Sequence, residues 1–226
     1  MVLFSLSVIR LPVQSAVPSP LPAASAQASL LLASASPRRA ELLRLAGYSF
    51  EVAAADVAET PRVGESALAY CARVALDKAR AVARPGMVCL AADTEVVLGR
   101  RIFGKPTSAV DAIAMLSELS GRRHRVICAV AIVADERVCQ LQVITRVRFR
   151  LIARSALEDY VATGVAFGKA GAYPVQGRAA TFVAAIDGSY TAVVGLPVYE
   201  SAQALAEFGI WPQWRLPIDS PRSASL

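Results

Sequence analysis

Asp93 follows residues 87–92, an almost wholly apolar run, and Thr94 adds a hydroxyl beside it. Such a run reads as a buried central strand, and α/β proteins hold their ligands just beyond the carboxyl ends of such strands. A carboxylate there can bind Mg²⁺ or take a proton from water. It can equally cap the loop that follows. Lys105 sits in Gly104-Lys105-Pro106 and Lys169 in Gly168-Lys169-Ala170-Gly171-Ala172-Tyr173, loops whose neighbours leave a lysine free to project. Lys78, in Leu76-Asp77-Lys78-Ala79, reads as standing on the polar side of a helix. Each lysine alone is an ordinary solvated charge. Three lysines, an arginine pair and a strand-end aspartate together are the inventory for holding a polyphosphate and activating water.

The arginine pair lies in Ser34-Ala35-Ser36-Pro37-Arg38-Arg39, between a short apolar strand and a helix that ends at Gly47. Ser36 is a good N-cap and Pro37 suits the first helical position. Cations at a helix N-terminus oppose its dipole, so Arg38 and Arg39 are unfavourable there unless an anion such as phosphate joins them. Two surface arginines on an ordinary strand–helix start are the alternative. His124 is the only histidine, which removes zinc sites and, unless it is itself the base, histidine relays. It reads as structural. Tyr173, Gln176 and Tyr190 are candidates for reading a base edge, or for packing. Neither GxxxxGK[ST] nor GxGxxG is present, so a P-loop or Rossmann enzyme is not supported.

The elements that must position these groups alternate. A strand at 48–52 precedes an acidic loop with Asp56 and Glu59; Ser66 caps a helix to about 82 with Leu68, Cys71, Val74 and Ala75 on one face. Ser108 and Asp111 open a helix to 119, and residues 126–133 and 138–149 form a hairpin. In its second arm Leu141, Val143, Thr145, Val147 and Phe149 point inward, and Gln140, Gln142, Arg146 and Arg148 outward. Ser155 and Glu158 open another helix, a strand covers 181–186, and a last helix covers 198–208. An antiparallel pair inside a βα alternation predicts an α/β protein with a mixed twisted sheet and flanking helices.

The chain has 226 residues, 55% hydrophobic and 19% charged, which indicates a packed core and not a disordered chain. No apolar run reaches the roughly 18 residues of a membrane span. The net charge of +6 suits an anionic partner without choosing one, and no aromatic-basic stripe typical of a single-strand binder is present. Four scattered cysteines without C-x-x-C read as buried thiols in a reducing compartment. Residues 1–28, Pro-, Ser- and Ala-rich, read as a disordered extension, 29–212 as the domain and 213–226 as a flexible tail.

Taken together, residues 30–208 resemble the Maf family of nucleoside triphosphate pyrophosphatases. Nine segments carry the resemblance in order: Ser34-Ala35-Ser36-Pro37-Arg38-Arg39, Asp77-Lys78-Ala79, Ala92-Asp93-Thr94, Gly104-Lys105-Pro106, Leu119-Ser120-Gly121, Lys169-Ala170-Gly171-Ala172-Tyr173, Gln176-Gly177, Gly188-Ser189-Tyr190 and Val194-Gly195-Leu196-Pro197. It implies two lobes around a central cleft, and cleavage between the α and β phosphates with a divalent cation, Mg²⁺ or Mn²⁺. By the same resemblance Asp93 is the proton acceptor, and Asp93 and Glu59 lie at the metal. Arg38, Thr94 and Gln176 select substrate; Arg39, Lys78, Lys105 and Lys169 surround the phosphates, with Ser34 beside them. Gln176-Gly177 and Ala172-Tyr173 look like the branch acting on dTTP and UTP. A neutral amide can donate and accept to a pyrimidine edge, whereas a carboxylate suits guanine. Ala58 departs from an acidic position of the family, leaving metal binding more dependent on Asp56, Glu59 and Asp93; Gly168, Pro174 and Arg178 also depart, and these departures bear on the substrate preference. The expectation is a cytoplasmic homodimer with a nucleoside triphosphate substrate and no membrane or nucleic-acid partner. The alternatives are the same reaction on 7-methyl-GTP or other modified nucleotides, and a non-catalytic nucleotide-binding regulator.

Overall fold

Eight strands share one mixed sheet in the computed structural model, which describes residues 7–10 and 29–214. They are β1 (Ser7–Arg10), β2 (Ser29–Leu32), β3 (Glu51–Val52), β4 (Met87–Leu98), β5 (Arg101–Phe103), β6 (Arg123–Ala134), β7 (Arg137–Phe149) and β8 (Val183–Asp187). The helices are α1 (Pro37–Leu45), α2 (Ala67–Val82), α3 (Ala109–Leu119), α4 (Arg154–Ala162), α5 (Tyr190–Val194) and α6 (Val198–Glu207). The order across the sheet is β1-β7-β6-β4-β2-β3, with β5 on β4 and β8 on β7. Only the β2–β3 and β2–β4 pairings are parallel. The α/β class with a mixed sheet is therefore as expected.

Several details differ from the sequence reading, among them the strand expected over 181–186, which starts only at Val183 because Gly177–Phe182 is a 3-10 segment. The strand after α1 shrinks to Glu51–Val52, because it is an edge strand with one neighbour. Ser155 lies inside α4, whose N-cap is Ala153. Gln142 is buried: α2 covers that face of β7, and the Gln142 and Gln140 amides donate to the Leu68 and Ala72 carbonyls at 2.7 and 3.1 Å. Finally, residues 7–10 are not a featureless extension but a strand paired with β7. The rest of 1–28, and 215–226, lie outside the described residues.

Alternation along β4 divides the core. Cys89, Ala91 and Val97 pack with Cys71, Ala75 and Ala79 of α2 on one face. Val88, Leu90 and Ala92 pack on the other with Leu43 of α1 and Leu205 of α6. A further cluster joins Val96, Phe103 and Phe149 to Leu116 and Leu119 of α3 and Leu157 of α4. Both faces of a central strand are thus buried, as its unbroken apolar run predicts. Ser66 and Ser108 cap α2 and α3 as read, accepting from the amides of Ala69 and Asp111. The four cysteines are buried and form no disulfide. No helix among the described residues is long and apolar enough to cross a membrane.

Candidate active site

Asp93 lies mid-strand and not at a strand end. β4 continues through it to Leu98 because β6 supplies an antiparallel partner, with Asp93 opposite Ala129. Its parallel neighbour β2, however, stops at Leu32, opposite Leu90. Asp93 is therefore just past the end of the parallel pair, where a gap opens. A cavity of about 710 Å³ fills that gap. Its walls come from residues 33–39, β4, one side of α2, the Gly104-Lys105 loop, the loop at 168–174 and residues 193–195.

Lys78 is buried, contrary to the sequence reading. It belongs to the stripe Cys71-Val74-Ala75-Lys78 of α2, whose spacing places it over the sheet. Its ammonium group lies 2.8 Å from Asp93 Oδ1 and 2.7 Å from Glu59 Oε1. Lys105 meets Glu59 Oε2 at 3.1 Å. Although partial burial works in the other direction, the hydrogen bonds and charges of these two lysines hold the Glu59 carboxyl below its ordinary range. Asp93 keeps its second oxygen, Oδ2, buried and without a hydrogen-bond partner.

Arg39 is fixed on three sides, donating to Gly195 O at 2.8 Å and to Ser34 Oγ and Thr94 Oγ1, both at 3.2 Å. Ser34 also accepts from the Ser36 amide, so the turn before α1 and the arginine share one anchor. Arg38 and Lys169 have no carboxylate at ion-pair distance among the described residues. Burial, with Arg39 close by, lowers the Arg38 pKa; burial, then Arg38 and Lys105, lowers that of Lys169. Cations that repel one another across a cavity mark a place for an anion. The two lysine loops are tied together, since the Gly171 amide donates to Gly104 O at 3.1 Å. Gly171 has φ +66°, and a Cβ there would lie 3.0 Å from the Val96 methyls, so only glycine lets this loop rest on β4.

The cavity thus gathers Ser34, Arg38, Arg39, Glu59, Lys78, Asp93, Thr94, Lys105 and Lys169. Gln176 is not on its wall; it stands half-buried at the start of a 3-10 segment, Gly177–Phe182. Asp56 and Tyr190 are also off the wall. Tyr173 reaches it, but its hydroxyl is engaged by His124 Nε2 at 2.6 Å, and burial drives the His124 pKa down to about 4, keeping it neutral. His124 is structural, as read. Among the wall residues with polar side chains, the sequence reading does not include Tyr70 and Glu95. Glu95 shares the Asp93 face of β4, and burial, then the charges of Asp93 and Glu59, push its carboxyl up to about 8. Alternation past Asp93 was the signal for it.

A cavity on an α/β sheet with clustered cations and a buried, half-satisfied aspartate is a candidate site for a phosphate-bearing substrate. A family model described as Maf-like protein matches residues 29–208, and the chain belongs to this family. It is similar to the dTTP/UTP pyrophosphatase of Aromatoleum aromaticum, 47% identical over 199 residues, covering 81% of this chain and 97% of that protein. It is similar also to the dTTP/UTP pyrophosphatases of Xanthomonas oryzae (46% identical; 80% and 98% covered) and Cereibacter sphaeroides (47% identical; 80% and 96% covered).

Proposed function

We propose that the protein hydrolyses dTTP and UTP to the nucleoside monophosphate and pyrophosphate. The observation that carries this is the buried, unpartnered Oδ2 of Asp93, a residue that lines the same cavity as Arg38, Lys105 and Lys169. Water attacks the α phosphorus, the bond to the bridging oxygen breaks, and the electron pair leaves with pyrophosphate. Asp93 Oδ2 accepts the proton of the attacking water, while Lys78 fixes Oδ1 and thereby the orientation of the carboxylate. Arg39, held on its three acceptors, and the loop lysines Lys105 and Lys169 bind the phosphates.

A divalent cation belongs to the proposal. Among the described residues no three Asp, Glu, His or Cys side chains form a metal cage. Mg²⁺ does not need one, since it keeps waters and takes one or two carboxylates plus substrate phosphates. The orphaned oxygen of Asp93 fits that demand. Glu59 fits it less directly, because Lys78 and Lys105 occupy both its oxygens. When bound, the cation would neutralise charge on the phosphates. A homodimer and a cytoplasmic location complete the proposal; the resemblance supports the first, and buried cysteines without a disulfide support the second.

The test is pyrophosphate release from a panel of nucleoside triphosphates with Mg²⁺. dTTP and UTP are expected to be turned over faster than dCTP, GTP or 7-methyl-GTP; turnover of none refutes the proposal. Gln176→Glu reads the base-selection role. If the glutamine approaches the base when nucleotide is bound, kcat/KM for dTTP falls by roughly tenfold or more, since an unmatched buried acceptor costs about 1–3 kcal/mol. An unchanged preference returns Gln176 to packing of its 3-10 segment.

A further inference from the structure

We propose that Glu95 is the second carboxylate ligand of the divalent cation, alongside Asp93. The inference rests on the pyrophosphatase proposal above and deepens it. Asp93 and Glu95 are two apart on β4, so both side chains leave the same face of the sheet, with backbones about 7 Å apart. Carboxylates at that separation can converge on one ion. Both residues line the cavity, with 5% and 8% of their surfaces exposed, and each keeps a buried oxygen, Asp93 Oδ2 and Glu95 Oε2, without a hydrogen-bond partner.

A buried carboxylate oxygen with no donor is costly in a folded protein, and native structures rarely leave one without a reason. The nearby cations do not supply it. Lys78 is taken by Asp93 Oδ1 and Glu59 Oε1, and Lys105 by Glu59 Oε2. Glu59 is thus the carboxylate that holds the lysines, and Glu95 is the one left open. Hard oxygen donors from two carboxylates, on the wall of a cavity large enough for phosphate oxygens and water, match Mg²⁺ or Mn²⁺. Packing gives no other account of this residue. Its strand neighbours on that face, Ala91 and Val97, are apolar and join the cluster under α2, and an aliphatic side chain would complete that face.

Mn²⁺ binding, followed by electron paramagnetic resonance on the full chain with and without the α,β-methylene analogue of dTTP, tests this. Glu95→Gln keeps the shape and is expected to weaken Mn²⁺ binding by at least about tenfold. Glu95→Asp keeps the charge but withdraws the oxygens, and should lose affinity as well. Wild-type affinity in either variant, or no Mn²⁺ binding by the wild type under both conditions, overturns the assignment. Without metal, Glu95→Gln should melt no lower than wild type, because Oε2 makes no hydrogen bond that the amide would forfeit. A lower melting temperature would make Glu95 a structural support and overturn it too. Pyrophosphate release by wild type in the same preparation separates the two claims. Turnover with unchanged Mn²⁺ binding in Glu95→Gln refutes the ligand alone; no turnover on any nucleoside triphosphate refutes the function beneath it.

Discussion

Asp93→Asn is expected to lower pyrophosphate release from dTTP and UTP by about two to four orders of magnitude, with the loss in kcat at saturating nucleotide. That range is what a positioned general base contributes, equivalent to about 3–5 kcal/mol of transition-state stabilisation. The substitution is nearly isosteric. An amide carbonyl can still accept from Lys78 at the position now held by Oδ1, 2.8 Å away, so the side chain should stay in place. What disappears is the anionic oxygen at Oδ2, which serves both as proton acceptor and as cation ligand; it becomes an NH₂ group or, if the amide flips, a neutral oxygen that takes no proton and holds a cation weakly. The Arg39 contact to the phosphates should survive, because Arg39 is held by Gly195, Ser34 and Thr94 and not by Asp93; whatever binding is lost should be the cation's share. Steady-state kinetics with continuous pyrophosphate detection measure this. A kcat within tenfold of wild type would mean that water is activated elsewhere in the cavity.

Most of the constellation could be read from residue types, and the errors share a physical origin. Loop glycines and prolines beside Lys105 and Lys169 advertise projecting cations, and Ser36-Pro37 advertises the helix start that carries Arg38 and Arg39. Such signals are local, and they survive folding. Partnerships between distant strands are not local. The apolar run ends at Asp93 and so predicts a strand end there, yet β4 continues because β6 pairs with it as far as Val97. That single missed pairing hid Glu95. Lys78 was misplaced for a related reason: a charge on a helix reads as solvated until the buried acid that compensates it is known. Gln176 is the opposite case, a residue carried by resemblance whose place in this structure is off the cavity wall. Residues 7–10 could not be read as a strand from four residues amid Pro- and Ser-rich sequence, because only the edge of β7 gives them a partner.

Lys78→Met should be the most destabilising change at the site, and the reason distinguishes it from a loss of substrate contact. Methionine matches the length of the lysine stem and fills the same place among Cys71, Ala75 and Ala79, so little packing is lost. The ammonium group is lost, and with it the charge facing Asp93. Removing one partner of a buried ion pair typically costs about 3–5 kcal/mol, because the survivor is left charged and poorly solvated. Here the survivors differ. Glu59 has 37% of its side chain exposed and still meets Lys105, so it can rehydrate; Asp93, with 7% exposed, cannot. Most of the penalty should therefore fall on Asp93. For a chain of this size the melting temperature should drop by on the order of 10 °C. The double variant Lys78→Met/Asp93→Asn decides the cause. If the stranded aspartate is responsible, adding Asp93→Asn recovers a large part of the lost stability and the two changes are strongly non-additive. Additive losses in thermal or urea unfolding would instead place the cost in packing of α2 against β4, and would remove the ion pair as the reason for a buried lysine.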